Sequence, residues 1–389
     1  MAEESPLDLG GARDVFEESR DFTIGIEEEF SILDPETLDL VDRFEDFRRA
    51  AEGDTDLDGS LAGELIASEV EVRSGRAVDM AEATALQERR RAALFSLAGE
   101  LGVRLGSSGT HPRADNRDQE IIDTPHYQRL KHDLGWVAQR NNTWSLHVHV
   151  GIKGADRAIA VCDRLREELP LLLAVSANSP FLDGRDTGLA SVRTEIFTRT
   201  FPRCGIPGTF ADWSTYADFV GTLQRVGSVV EATQLWWSVR PHHSFGTVEI
   251  RICDAQTTAQ QSTALAGLMV ATVAQTALDL DSGRFDDTEP LLDREIEENL
   301  WRAIRFGLEG RMVDFRQGRE VDTRQALDDL LARTSEARDG LGIEVEPPEV
   351  DGATSSRRLL ADGLDLRQAF GEQVEETWAT FGHGAAEAG

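Results

Sequence analysis

Four short segments of this chain place glutamate, histidine and arginine at alternate positions, the spacing that sends side chains to one face of a β-strand. In TIGIEEEF, Thr23, Gly25, Glu27 and Glu29 face one way and Ile24, Ile26, Glu28 and Phe30 the other. SEVEVR sets Glu69, Glu71 and Arg73 against Val70 and Val72; WSLHVHVGI sets Ser145, His147, His149 and Gly151 against Leu146, Val148, Val150 and Ile152. TVEIRIC sets Thr247, Glu249, Arg251 and Cys253 against Val248, Ile250 and Ile252. Side by side in one largely antiparallel sheet, the apolar faces would pack on helices and the polar faces would coincide as a carboxylate-lined trough. Crowded carboxylates with imidazoles among them make a hard divalent-ion environment, and a bound Mg²⁺ or Mn²⁺ relieves their mutual repulsion. Arg73 and Arg251 add planar forks suited to phosphoryl oxygens. Neither a Walker A loop nor GxGxxG is present, so ATP would have to sit on the sheet itself. Any one of these glutamates is explained equally well by a wet sheet face; the joint pattern is what points to metal and phosphate.

Such strands need helices behind them. Helical periodicity runs through residues 79–102, 155–174, 215–231, 258–280, 289–309, 322–338 and 359–381, and a further strand is expected at 104–108. Breaks fall at 281–289 and around 347–356, and residues 1–20 read as a mobile acidic leader. The expectation is therefore an α+β protein with one large catalytic domain over 21–389, its sheet-bearing part at 21–257 and its helical part at 258–389. Cys162 is expected in a helical core and Cys253 on the polar face. His111, His126, His132, His242 and His243 lack mutual ligand spacing and read as loop or surface residues, and Trp236 and Trp237 as core or rim aromatics.

Composition restricts the partners. The 389 residues carry 71 Asp plus Glu against 40 Lys plus Arg, a formal net charge of −31, and only Lys131 and Lys153 are lysines. Such a field repels phosphate backbones and anionic head groups, so nucleic acid and membrane partners are not expected. The acidic, lysine-poor surface suits molar salt, where screening over about 3 Å suppresses self-repulsion. Three cysteines without metal spacing, and an acidic N-terminus without an apolar signal core, fit a reducing cytoplasm.

Five motifs then occur in order: GIEEEF (25–30), LDPET (33–37), ELIASEVEVRSG (64–75), HVHVGI (147–152), and WSVRP followed by FGTVEIRICD. In this the chain resembles the ATP-dependent carboxylate–amine ligases related to glutamate-cysteine ligase, and with its acidic composition it is similar to haloarchaeal members. The resemblance implies a glutamine-synthetase-like antiparallel sheet whose concave face holds two or three Mg²⁺ and ATP. It implies metal ligands at Glu27, Glu29, Glu64, Glu71, His147 and Glu249; Glu64 rests on the resemblance alone, its odd offset from Glu71 requiring a turn or helix. It implies contacts of Arg251 and Arg193 with the transferred phosphoryl or substrate, and a nucleotide-side place for Arg240 beside Arg73. Ser238 stands where many relatives carry an acidic residue, which bears on partner choice.

The implied reaction joins the γ-carboxylate of glutamate to the amine of cysteine through an acyl phosphate, with Glu69 or Glu28 as candidates to take the amine proton. Loops such as 201–210 would shape the substrate pocket, and a homo-oligomer is compatible. Two alternatives stay open: another carboxylate–amine pair within the family, or a metal-dependent hydrolase suggested by the HxH of His147 and His149. A noncatalytic salt-adapted binding protein is a third. Composition alone makes one prediction: dilution below about molar salt lowers both melting temperature and activity through unscreened repulsion. Unchanged melting by calorimetry in dilute buffer would contradict it.

Overall fold

The strand that carries GIEEEF becomes the hub of the main sheet. In the computed structural model, which describes residues 7–382, the strands are β1 (Ile24–Leu33), β2 (Leu61–Ala62), β3 (Glu69–Arg73), β4 (Arg104–Gly106), β5 (Leu146–Gly151), β6 (Phe181–Leu182), β7 (Arg185–Asp186), β8 (Val239–His242) and β9 (Thr247–Ile250). Seven of them form one antiparallel sheet in the order β2-β3-β1-β5-β9-β8, with β4 also paired to β1. β6 pairs with β7, and Arg311–Asp314 with Arg319–Asp322, as separate two-stranded ribbons. Alternation along β1, β3, β5 and β9 thus places the apolar residues on one face, as the sequence pattern requires.

Helices cover that face. Met80–Glu100 starts where the Asp79 side chain accepts from the Glu82 amide. Ala259–Asp281 starts with a reciprocal capping box between Thr258 and Gln261. The second of these joins Ile24, Ile26, Leu146, Val148, Val150, Val248 and Ile250 in a single buried cluster. Phe30 closes the neighbouring cluster edge-on against Phe95 and Phe381, with centroids 5.4 and 5.2 Å apart. Each such fully buried side chain contributes roughly 1.5–3 kcal/mol. Among the described residues Ala259–Asp281 is the one helix long and apolar enough to cross a membrane, yet 72% of its most apolar stretch is buried inside the fold.

Several expectations need correction. Of the supposed leader, residues 1–6 lie outside the described residues, but Leu9–Glu18 is a helix capped by Asp8 that buries Ala12 and Phe16. The helix expected at 155–174 is two, Ala155–Leu165 and Leu169–Ser176, because Pro170 suits only a first turn. The segment around 347–356 is no simple break, since the helix Gly352–Ala361 begins within it, and Gly363 at φ +100° separates that helix from Leu366–Phe381. The helix at 322–338 likewise divides into Thr323–Arg333 and Ser335–Leu341. β8 escaped the pattern because Pro241 reads against a strand, yet an edge strand tolerates it. β9 ends at Ile250, so alternation fails beyond it and Cys253 turns into the core instead of the polar face.

Glu28 is the other exception. It sits on the apolar side of β1, where Arg91 donates through Nη2 at 2.5 Å and Nε at 2.6 Å, Gln87 Nε2 at 2.6 Å, and Ser262 through its hydroxyl. It therefore faces the helices and cannot reach an amine in the trough, which removes it as a candidate proton acceptor. Arg91→Ala would strand a buried carboxylate and lower unfolding free energy by about 3–5 kcal/mol. Urea denaturation checks this, and a loss below about 1 kcal/mol would contradict it.

Candidate active site

Strand register builds the polar face. Glu27 lies between Arg73 on β3 and His147 on β5, and Glu29 is opposite Glu71. His149 lies opposite both Gly25 and Glu249, and Glu249 opposite Arg240. A Cβ at Gly25 would sit 3.4 Å from the His149 Cβ, an ordinary van der Waals contact. Of these residues, Glu27, Glu29, Glu71, Arg73, Arg240 and Glu249 line a trough of about 1630 Å³ together with Glu64, Glu69, Arg193, Arg251 and Ser238. Glu64 follows the two-residue edge strand β2 in a loop, and the Tyr127 hydroxyl pins that loop by donating to the Gly63 carbonyl.

Ligand-type atoms of Glu27, His147 and Glu249 lie within 4.8 Å of one another, and so do those of Glu29, Glu71 and His147. His147 is common to both groups. Its Nε2 is 2.7 Å from Ser145 Oγ and 3.6 Å from Glu29 Oε1, and its Nδ1 is 3.4 Å from Glu27 Oε2. Glu64 belongs to neither group, although its charge is felt by Arg251.

The arginines are spoken for in different ways. Arg240 donates to Glu249 through Nε at 2.6 Å and Nη2 at 3.3 Å, and Arg251 donates to the same carboxylate. Arg73 pairs with Glu71 at 3.2 Å. Arg193 is fixed from behind: its Nη1 donates to the Ile252 carbonyl at 3.0 Å and lies 3.5 Å from Asp254, and its Nη2 donates to the Arg251 carbonyl at 3.3 Å. Asp254, fully buried, accepts in turn from Ser179 and Ser191 at 2.7 and 3.0 Å.

Charge divides the trough in two. Against the desolvation of burial, Arg240 and Arg251 hold Glu249 well below the usual carboxylate range, and His149 does the same for Glu27. Burial and the charge of Glu29 push Glu64 up to about 7, and burial with neighbouring carboxylates pushes Glu69 and Glu71 well up. Burial, then Arg251, holds His147 at about 4, so its imidazole is neutral and able to donate a lone pair. His149 is raised, because Glu27 and Glu249 outweigh its burial. A donor set of carboxylates and one neutral imidazole, with protons retained where no cation compensates them, fits a hard divalent ion.

Sequence reasoning missed some participants. His149 was visible in the alternation but entered only through the hydrolase alternative and not among the expected metal ligands, although its Nε2 is 3.3 Å from Glu27 Oε1. Asp254 lies one residue beyond the strand pattern and gave no signal. Of the histidines read as loop or surface, His132 is exposed, but His111 and His243 are buried and His242 lines the trough. Trp237 is core, and half-buried Trp236 is rim.

The sequence matches the profile of glutamate-cysteine ligase family 2 over residues 23–378. The chain belongs to that family. A Rubrobacter xylanophilus protein, provisionally named glutamate–cysteine ligase 2-2, is 42% identical over 343 residues, 87% of this chain and 86% of its own length. A provisionally named glutamate–cysteine ligase 2 of Sorangium cellulosum is 39% identical over 342 residues, 88% and 89% of the two chains. The fold is similar to that of the glutamate–cysteine ligase of Francisella tularensis, solved in complex with AMP. That likeness has a TM-score of 0.65 at 11% identity and covers 93% of this chain and 89% of that one.

For a member of this family the split trough has a measurable signature. Carboxyls with raised pKa hold protons that the unfolded chain has lost between roughly pH 4.5 and 7, so folded stability falls as pH rises through that window. With chelator and constant molar salt, the melting temperature should drop from pH 5 to 8. Glu64→Gln should flatten the drop, and Mg²⁺ should reverse it at pH 8. A melting temperature insensitive to pH, to this substitution and to Mg²⁺ would sink the assignment.

Proposed function

We propose that this chain uses ATP to join the γ-carboxylate of glutamate to the amine of cysteine, giving γ-glutamylcysteine, ADP and phosphate. Family membership supports the reaction. The observation that carries it onto this molecule is the pairing of two carboxylate–histidine clusters that share His147 with arginines across the same trough. Hydrolytic water activation needs fewer acidic groups and no row of guanidinium groups, which weighs against a metal-dependent hydrolase.

Glu27, Glu29, Glu64, Glu71, His147 and Glu249 would hold Mg²⁺, with Mn²⁺ as a substitute. When bound, such ions supply positive charge to phosphoryl oxygens. Glu249 is shared, for its charge already orients Arg240 and Arg251. Arg251 and Arg193 would bind the transferred phosphoryl group and neutralise charge that spreads over it as the glutamate carboxylate attacks. Arg240 and Arg73 would complete the cationic lining. Cysteine's amine then displaces phosphate from the acyl phosphate. Glu69, which lines the trough, would take the amine proton. The protein thus works by positioning and electrostatics, without a nucleophilic side chain.

The surrounding assignments share this standing. The charge of −31 supports a salt-rich cytoplasmic setting and small-molecule partners, with neither nucleic acid nor membrane bound, and a homo-oligomer is compatible with it. Ser238 lines the trough beside the 201–210 loop residues Phe201 and Cys204, where choice of the amino-acid pair would be made.

ADP release in multimolar KCl with Mg²⁺ should require glutamate and cysteine together. Glu29→Gln should lower kcat at least about 100-fold with melting unchanged, and Arg251→Ala by roughly 10²–10³-fold, as for loss of a charge-stabilising donor. ADP with a different amino-acid pair would keep the family and replace the substrates. No ATP use with any pair would reject the proposal.

A further inference from the structure

We propose that the turn between β8 and β9, where Phe245 stacks on His242, is the platform for the purine base of the nucleotide. This rests on the ATP use proposed above and adds where the nucleotide lies.

Phe245 is a large apolar side chain left 52% exposed, and it lines the trough rather than the outer surface alone. Its ring lies flat on His242, centroids 4.3 Å apart and planes at 11°. His149 meets both rings edge-on at 5.0 and 5.5 Å, and its Nε2 is 3.3 Å from Glu27 Oε1. The shelf therefore abuts the carboxylate centre directly. Burial holds His242 at about 3, so it supports Phe245 as a neutral ring and not as a cation. One face of Phe245 is covered by His242, and an exposed aromatic ring at the mouth of a polar trough is what a flat heteroaromatic base stacks on.

Strand geometry sets the direction. From Arg251 back to Thr247 an antiparallel strand covers roughly 14 Å. Phosphates held by Arg251 and the carboxylates beside it would extend the ribose and base along β9 towards the turn. The turn is rigid: Gly246 adopts φ +62°, its carbonyl accepts from Ser19 Oγ at 2.7 Å, and a Cβ there would meet the Val15 carbonyl at 2.9 Å. The other aromatic group in the trough is already occupied by its own members. Phe197 stacks on Phe201 at 4.6 Å, Phe201 meets Trp236 at 5.9 Å, and the Arg203 guanidinium covers Trp236 at 5.8 Å. That end, with Cys204, is left for the amino acids.

Calorimetric titration with ADP and Mg²⁺, without amino acids and in multimolar KCl, tests this on the full chain. Phe245→Ala should raise the Kd for ADP on the order of 10-fold. It should leave the Kd for pyrophosphate, the KM for each amino acid and the melting temperature unchanged. Phe245→Trp should keep ADP affinity within about threefold and show fluorescence quenching on binding. If Phe245→Ala folds poorly, Phe245→Leu gives the same ADP-to-pyrophosphate comparison. Equal ADP affinity in wild type and Phe245 variants, or a loss caused instead by Trp236→Ala, overturns the assignment while leaving ATP use intact. A wild-type protein that binds no ADP overturns both.

Discussion

The rest of the structure follows from a repulsion. Glu27, Glu29, Glu69, Glu71 and Glu249 project from one sheet face, and antiparallel register fixes how close they come. Neighbouring strands lie about 4.8 Å apart, a separation at which like charges oppose folding unless something holds them. The other side of the sheet does the holding. Beneath Glu27 and Glu29, Glu28 ties β1 to two helices through Arg91, Gln87 and Ser262, while Ile24, Ile26 and Phe30 bury their side chains beside it. One strand therefore presents acid in both directions, compensated within the protein on one side and reserved for ligands on the other.

Compensation within the trough is uneven, and the unevenness is informative. Arg240 and Arg251 neutralise Glu249, and His149 bridges Glu249 and Glu27, so the β5–β9–β8 side is nearly balanced. On the β1–β3 side Glu29, Glu64, Glu69 and Glu71 outnumber the single partner Arg73 offers to Glu71. Uncompensated negative charge is therefore greatest on that second side, and guanidinium charge is concentrated on the first. Under the proposed reaction, the places of cation and phosphate would thus follow from where the arginines lie, not from the carboxylates alone.

Much of this was legible in sequence because a strand's side-chain period is two and its meaning is local. Glu27, Glu29, Glu71, His147 and Glu249 could be set on one face from their neighbours alone, and the sheet brings all five together. Glu64 could not, since it hangs from a loop whose path is set by Tyr127 far along the chain. Glu28 was misread for a related reason: alternation gives its side correctly but says nothing about Arg91, which meets it across the fold. The N-terminal helix was read as a leader because acidic composition concealed Phe16, whose burial depends on Trp213. Asp254 lies beyond the end of β9 in an isolated bridge to Ser145, and Phe245 in a turn, where no periodicity speaks.

Strand order also dictates when the site can exist. β1 waits for β5, and β5 for β9, so the pairing of Val148 with Ile250 must close across a long intervening stretch of chain. During synthesis, chain emerging before residue 240 carries Glu27, Glu29 and Glu71 but neither Glu249 nor the two arginines that flank it. The most repulsive half of the trough is thus translated first and its neutralising half last. Nascent chains must pass through a state of unbalanced acid, and topologies that depend on such distant pairings close slowly.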